Sequence, residues 1–278
     1  MRAGLMRALS ILFMLLTGCA ALKSLTSSPE AELAYGEDAE SNIAKGDEAL
    51  ESKNYPEAGR YFEYVKTKYP YIEAAKTAEL RLADVDYDRE RFIEARDRYQ
   101  NFVRLHPTHA KVDYAAYRGA ITHYRDIPSD LFILPPSTEK DQVEVRAALT
   151  ALNDFLNAFS HSEFVPEAKK LQTDVKRRLA EHEIYVADFY AKRDRWPAVI
   201  GRLQNVVKNY GGTGYEEKVF FGLYDAYVKV KDEARGREML ALYIARFPDD
   251  SGVGRAKRIL ETPASMPVAP VSAADAGL

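Results

Sequence analysis

A pattern of small and apolar residues at spacings of four, three and five positions recurs five times along the 278-residue chain. Spacings of three and four residues place side chains on one face of an α-helix. A fixed set of spacings that returns along the chain is typical of a fold built from repeated helical units. The five copies are Ala58, Phe62, Val65 and Pro70; Ala95, Tyr99, Phe102 and Pro107; Ala148, Leu152, Phe155 and Ser160; Val199, Leu203, Val206 and Gly211; and Gly236, Leu240, Tyr243 and Pro248.

Each copy has a partner residue in the segment before it. Twelve positions upstream stand Gly46, Ala83, Ala187 and, less typically, Tyr224, whereas Gly119 precedes the third copy by 29 positions. A small residue in one helix lets a second helix approach closely, which is typical of the tetratricopeptide repeat of roughly 34 residues. We therefore predict an all-α fold, a tetratricopeptide-repeat superhelix of about five helix pairs. A generic bundle of amphipathic helices is the alternative, but it would not require the constant offset.

The register of the repeats breaks between the third and fourth copies. The segment after Pro166 runs to Arg195 without glycine or proline, and its apolar face predicts one long helix. We expect this helix to link repeats three and four, joining an N-terminal module at 35–163 to a C-terminal module at 164–261. The extra residues of the third repeat form an insertion at 126–144, whose apolar centre indicates a loop that is packed down or functional.

The first residues have the features of an export signal. Arg2 and Arg7 precede an apolar run at 8–16, which is too short to span a bilayer. Small residues then lead to Cys19, the single cysteine of the chain. This arrangement resembles the bacterial lipoprotein signal, and the resemblance implies cleavage after Gly18 and lipidation of Cys19.

The two ends of the chain are assigned accordingly. Residues 1–18 are predicted to be a signal peptide and 19–34 a lipidated tether, so the membrane is contacted through the lipid anchor. By the sorting pattern of such lipoproteins, Ala20 implies the periplasmic face of the outer membrane. An ordinary signal peptide with a coincidental cysteine is the alternative. Residues 262–278 are mostly Ala, Pro and Ser, which predicts a disordered tail.

The charge balance and the histidines exclude several classes of function. With 39 basic against 42 acidic residues the chain has no global positive field, so we expect no nucleic-acid partner. His106 and His109 lack further metal ligands at the usual spacing, and the helix around His182 and Glu183 has Val186 where a zinc-binding motif needs a second histidine. We therefore expect no metal, no cofactor and no enzymatic activity.

Repeat proteins of this kind act through their surfaces, because the first helices of successive repeats line a groove. Tyrosines in such a groove suit peptide capture, since each offers a ring and a hydroxyl at low entropic cost. The alternative is that some of these tyrosines only pack between repeats. The predicted groove residues are Leu80, Asp84, Tyr87, Tyr117, Ala120, His123 and Tyr124.

Several runs of sequence together resemble one protein family. They are Leu105-His106-Pro107-Thr108-His109, Asp113-Tyr114-Ala115, Lys140-Asp141-Gln142, Leu179-Ala180-Glu181-His182-Glu183, Val186-Ala187-Asp188-Phe189-Tyr190, and Arg193, Trp196, Ala198 and Val199. With the lipoprotein signal and the repeats, these runs resemble the BamD-type lipoproteins of the outer-membrane β-barrel assembly machinery. The serine and glycine that replace the repeat proline at 160 and 211 depart from the pattern.

The resemblance implies a scaffold with defined partners. The C-terminal module would bind a POTRA domain of the BamA-type Omp85 barrel protein, and other assembly lipoproteins would join the complex. The N-terminal groove would receive the C-terminal signal of unfolded outer-membrane β-barrel proteins. Arg193 and Arg202 are our candidates for the BamA contact, because arginine binds a carboxylate with two hydrogen bonds. Exposed arginines that only flank a helix start are the alternative.

Two other functions remain open from the sequence. Another periplasmic tetratricopeptide lipoprotein, such as a pilotin for a type IV pilus secretin, would share the anchor and the fold. An enzyme such as a peptidoglycan hydrolase with a repeat domain is disfavoured, because the repeats leave no segment for a catalytic domain.

Overall fold

The computed structural model of the protein describes residues 33–127, 137–139 and 141–263. Within these ranges every regular element is helical, which confirms the all-α prediction. The predicted signal peptide, Cys19 and most of the predicted tether lie outside the described residues, as do the centre of the insertion and most of the tail. The chain divides into two compact units, one up to Ala78 and one from Glu79 onward. The predicted boundary between the two repeat modules, at 163/164, is a different division of the chain and stays a prediction.

The helices follow one another as antiparallel pairs, with short turns inside most of the pairs. In chain order their bounds are α1 Ala39–Glu51, α2 Tyr55–Lys68, α3 Glu73–Asp88, α4 Phe92–Leu105, α5 Val112–Arg125, a 3-10 helix Ser137–Glu139, α6 Val143–Ala158, α7 Val165–Ala191, α8 Trp196–Asn209, α9 Glu216–Lys229, α10 Glu233–Arg246 and α11 Val253–Glu261. The long helix predicted after Pro166 is α7, with 27 residues.

The first unit contains the α1–α2 pair. Asp38 caps α1 by accepting a hydrogen bond from the backbone N–H of Ser41 at 2.8 Å, and the Ser41 hydroxyl lies against the Asp38 backbone in return. Gly46 faces the ring of Phe62, and a Cβ at this glycine would lie only 2.5 Å from that ring. The small residue of the repeat therefore lets the aromatic residue of the second helix fill the space between the two helices.

The turns inside four of the pairs have the same backbone geometry. Of the described residues, four that are not glycine have positive φ, and each stands two positions before a second helix: Lys53, Glu90, Asp194 and Lys231. The next residue closes every turn with a backbone hydrogen bond to the carbonyl five positions earlier, as Arg91 does to Asp86 at 2.9 Å. The third pair differs because the insertion separates α5 from α6.

Among the described residues, the core of the second unit includes three groups of buried side chains. The first lies around Tyr99 in α3 to α5, and the largest extends from Tyr117 in α5 to Tyr227 in α9. The third contains Tyr243, together with Val253 and Ala256 of α11. This last helix was not among the five predicted pairs, and it covers apolar residues of α9 and α10.

Candidate partner-binding surfaces

The seven side chains predicted to line a peptide groove differ in exposure. Leu80, Asp84, Tyr117 and Ala120 are each at most 5 % exposed. Partly exposed side chains are those of Tyr87, His123 and Tyr124. Tyr117 stacks on the ring of Phe164 with centroids 4.8 Å apart. This tyrosine therefore follows the alternative given above, in which the side chain packs inside the fold and is not exposed in a groove. A role in peptide binding for the seven stays a prediction.

Asp84 is a buried carboxylate that holds three helices together. Its Oδ1 accepts hydrogen bonds from the hydroxyl of Tyr99 in α4 at 2.6 Å and from that of Tyr114 in α5 at 2.8 Å. Its Oδ2 accepts from Arg81, one turn earlier in α3, at 3.1 Å. Burial, followed by the charge of Asp84, raises the pKa of Tyr99 and of Tyr114 above the ordinary value. Both phenols therefore stay protonated and act as donors.

Arg118 connects this buried network to the predicted groove residue Tyr87. Its guanidinium carbon lies 3.7 Å from the centroid of the Tyr87 ring, and its Nε donates to the Tyr99 hydroxyl at 3.0 Å. Arg125 donates to the hydroxyl of Tyr87 at 3.1 Å. Sequence reasoning missed Arg118. The signal for it was Asp84 itself, since a carboxylate on an apolar helix face needs donors or a cation.

One cleft of about 180 Å³ opens beside the Asp84 network. It combines two basic and two acidic side chains with apolar ones and includes the predicted groove residue Leu80. The lining residues are Leu80, Arg81, Ala110, Lys111, Asp113, Tyr114, Glu163 and Phe164.

A second cavity, of about 320 Å³, lies between α4, α5 and α6 and includes Ala120 and His123. Alanines and the rings of Phe155 and Phe159 form much of its wall. Burial, and then the positive charge of Arg96, lowers the pKa of His123, so its imidazole is neutral at pH 7. The predicted groove residues are therefore divided, because Leu80 lines the first cleft and Ala120 and His123 line this one.

Arg202, one of the two candidate arginines, is bound to a carboxylate of its own chain. Its Nη1 lies 3.1 Å from Oε2 of Glu183 in α7. Glu183 is only 5 % exposed, and Asn205 donates to its other oxygen at 2.9 Å. The arginine itself is 42 % exposed in its side chain. Sequence reasoning considered Glu183 in a failed zinc motif and in one of the runs that carry the family resemblance, and it missed this role.

Arg193, the other candidate, lies at the surface beside an exposed aromatic ring. Its guanidinium carbon is 3.6 Å from the centroid of the Phe189 ring, and its Nη1 donates to the Phe189 carbonyl at 3.0 Å. Phe189 is 44 % exposed, and Tyr185, one turn earlier on α7, is 40 % exposed. Tyr185 and Phe189 lie one turn apart on the same face of α7, and Arg193, two residues past the end of the helix, continues this stripe through its contact with Phe189.

The end of the insertion packs on the long helix. Nδ1 of His182 lies 2.7 Å from the carbonyl oxygen of Thr138 in the 3-10 helix, so this nitrogen donates. The carboxylate of Glu139 accepts from the Tyr185 hydroxyl and thereby raises the pKa of that phenol. The sequence run around His182, which is one of those that carried the family resemblance, therefore packs against the 3-10 helix through Thr138 and Glu139.

The described ranges lack two further features, a metal centre and a membrane-spanning helix. There, no group of three or more His, Cys, Asp or Glu side chains is arranged to hold a metal ion. Nor does any helix among those residues combine the length and the apolar character needed to cross a membrane.

Several curated relatives of the chain have the name "Outer membrane protein assembly factor BamD". The protein from Vibrio cholerae is 30% identical over 168 residues, which cover 59% of this chain and 69% of the relative. The protein from Caulobacter vibrioides is 26% identical over 77% of this chain and 68% of the relative. The protein from Neisseria gonorrhoeae is 25% identical over 80% of this chain and 84% of the relative.

A solved complex, the TPR2AB domain of yeast Sti1 with pHSP90, aligns over 80% of this chain and 84% of that chain with 10% identity. Its TM-score of 0.42 is too low to bear on fold or function. The family comparison is decisive instead. The model of the YfiO family, described as an outer membrane lipoprotein, matches residues 37–242, well over half of the sequence. The chain therefore belongs to the YfiO family of outer membrane lipoproteins.

Proposed function

We propose that this protein is a non-enzymatic scaffold that takes part in the assembly of outer-membrane β-barrel proteins. The observation that carries the proposal is the match to relatives named outer membrane protein assembly factor, which spans more than two thirds of their lengths. The paired helices support it, because stacked helix pairs present extended binding surfaces.

The anchor is the first part of the proposal. The mature protein would begin at Cys19, carry its lipid there and stay on the periplasmic face of the outer membrane. Cys19→Ala should move the protein from the outer-membrane fraction to the soluble fraction or leave it uncleaved, whereas Ser24→Ala, a change of similar size in the tether, should not. Equal membrane retention of the Cys19 variant would contradict lipid anchoring.

The second part is a contact with the POTRA region of a BamA-type protein through the C-terminal repeats. The stripe of Tyr185, Phe189 and Arg193 supports this, because exposed aromatic and arginine side chains are enriched at protein interfaces. Arg202 differs from Arg193 because its guanidinium already pairs with the buried carboxylate of Glu183. We therefore assign the direct contact to Arg193 and a supporting role to Arg202.

The third part concerns the unfolded substrates. We assign them to the 180 Å³ cleft, where Lys111 offers a positive charge and the partly exposed Phe164 offers apolar surface. A peptide that ends in an aromatic residue should bind there, with its carboxylate toward Lys111. Binding measured by fluorescence anisotropy should weaken for Lys111→Ala and stay unchanged for Lys170→Ala, an exposed lysine on α7.

Affinity purification from detergent-solubilised membranes tests the whole proposal. The wild-type protein should recover an Omp85-type barrel protein, Arg193→Ala should recover much less, and Lys192→Ala should serve as a matched exposed control. Arg202→Ala should have an intermediate effect together with a lower melting temperature. Recovery of the wild-type protein without any Omp85-type partner would refute the proposed function.

A further inference from the structure

Two adjacent apolar side chains are exposed at the turn that follows α2 in the first unit. Tyr71 is 97 % exposed and Ile72 is 45 % exposed. The backbone N–H of Ile72 donates to the carbonyl of Tyr69 at 3.4 Å, which holds this dipeptide in a defined turn. The pair is therefore presented by ordered backbone at one end of the α1–α2 pair.

A cluster of tyrosines lies directly behind this turn. The ring of Tyr64 stacks on that of Tyr35 with centroids 4.0 Å apart, and it meets the ring of Tyr69 edge-on at 6.4 Å. Tyr35 is itself 43 % exposed. Aromatic surface thus continues from the turn to the segment through which the chain enters α1.

The entry of the chain into the fold lies at the same end of the helix pair. The hydroxyl of Tyr69 donates to the backbone carbonyl of Glu37 at 3.5 Å, one residue before the cap of α1. Cys19 precedes Leu33, the first described residue, by 14 positions, a stretch that can span at most about 50 Å. A lipid on Cys19 therefore restricts how far this end can lie from the bilayer.

The charges beside the turn offset one another. Lys68 lies 4.9 Å from the centroid of Tyr64, and Lys76 pairs with Glu73 at 2.8 Å, while Glu37 is exposed nearby. Attraction to anionic lipid would therefore contribute little to membrane binding by this surface. Tyrosine side chains prefer the membrane interface because the ring is apolar and the hydroxyl is polar, and isoleucine favours the apolar side of that boundary.

From these observations we propose that Tyr71 and Ile72 form a second membrane contact, in which the turn inserts into the headgroup region of the lipid bilayer. The lipid would bring the protein to the membrane, and this turn would fix which end of the first helix pair faces the bilayer. The inference rests on the membrane anchoring included in the proposed function, but not on the identity of any protein partner.

Fluorescence quenching on vesicles tests the contact directly. The chain from Cys19 onward, which retains every described residue, is coupled through its only thiol to a maleimide lipid in zwitterionic vesicles with brominated acyl chains. Tyr71→Trp adds a probe at the turn, and the emission of Trp196 in the unsubstituted protein is subtracted. We expect a blue-shifted emission that loses about half of its intensity, as for side chains at the headgroup boundary.

Glu51→Trp provides the matched control, because it places the probe at the last residue of α1. That position is about 18 Å along the helix axis from the end that carries the turn. The control emission should be neither shifted nor quenched. Equal emission of the two probes, whether both are quenched or neither is, would overturn the proposal. Chemical coupling replaces biological lipidation, so a failure here is distinct from a failure of Cys19→Ala to release the protein in cells.

Discussion

Two buried carboxylates in the second unit occupy similar places and are compensated in different ways. Asp84 in α3 and Glu183 in α7 each lie in the first helix of a pair and are each at most 5 % exposed. Asp84 receives hydroxyl donors from Tyr99, which is fully buried, and from Tyr114. Glu183 receives its cationic donor from Arg202, whose side chain is 42 % exposed.

The difference separates a structural network from a surface that can exchange partners. Among the donors to Asp84, Arg81 is 30 % exposed in its side chain, but the hydroxyl of Tyr99 cannot turn to water without disturbing the core, so the network fixes three helices relative to one another. Arg202 can be solvated where it stands, and an incoming carboxylate can share its guanidinium. The comparison therefore favours partner binding near α7 and α8, and rigidity around α3 to α5.

The largest expected effect comes from deleting the two carboxylates in turn. Asp84→Ala leaves the hydroxyls of Tyr99 and Tyr114 without their acceptor and Arg81 without its carboxylate, and should lower the free energy of unfolding by about 3–5 kcal/mol. Glu183→Ala should cost about 1–2 kcal/mol, because Arg202 and Asn205 can find water instead. Urea denaturation of each variant measures both values.

Asp84→Asn is the control, since it retains an acceptor oxygen and removes only the charge. It should lose less stability than Asp84→Ala. If Glu183→Ala proved as damaging as Asp84→Ala, the distinction between a rigid network and an exchangeable pair would be wrong.

A second effect concerns alkaline pH. The pKa of Tyr99 and of Tyr114 is raised above the ordinary value of about 10 by burial and then by Asp84, so the unfolded chain loses these protons first. The stabilisation is fully present below about pH 10 and is lost as the pH rises toward the folded-state pKa values. In Tyr99→Phe/Tyr114→Phe, thermal melts should show a smaller alkaline loss of stability.

The exposed Tyr71 supplies the control for that experiment, because it is 97 % exposed. Tyr71→Phe should leave the alkaline profile of the melting temperature as it is in the wild type. An unaltered profile in the double variant would mean that other groups govern alkaline unfolding.

A third effect compares the closeness of helix packing in the same two regions. Ala95 and Val199 hold equivalent places in the repeat and are 0% and 4% exposed. Ala95→Leu should force α3 and α4 apart and cost about 1–3 kcal/mol, whereas Val199→Leu, a smaller change of volume, should cost less than about 1.5 kcal/mol. Unchanged melting of Ala95→Leu would contradict the assigned register.

Much of this fold follows from the sequence because the repeat is local. The five helix pairs and the long α7 could be predicted, since small residues, aromatic residues and prolines at fixed spacings specify hairpins without reference to the rest of the chain. The α11 helix escaped because it contains no copy of the repeat. Its position becomes clear only in the structure, where it covers apolar residues of α9 and α10.

The site residues were harder to predict for a physical reason. Helical periodicity places Asp84 on a face but does not show what covers that face, and its partners lie 15 and 30 positions further along the chain. A groove residue and a buried network residue have the same periodicity. The burial of Leu80 and Tyr117 has the same origin, because their neighbours come from other helices.

The smallest expected effect tests whether the two regions share one backbone geometry. Glu90 ends the turn of the α3–α4 pair and Asp194 that of the α7–α8 pair, with φ of 59° and 53°. Glycine adopts this left-handed conformation without the steric cost of a side chain, although it loses more entropy on folding. Glu90→Gly and Asp194→Gly should therefore each raise the free energy of unfolding by about 0.5 kcal/mol, measured by thermal and urea denaturation. Equal gains in the free energy of unfolding would mean that the two turns share one backbone geometry, so that the difference between the regions comes from Asp84 and Glu183. A gain at only one turn would show that the two hairpins already differ in their backbones.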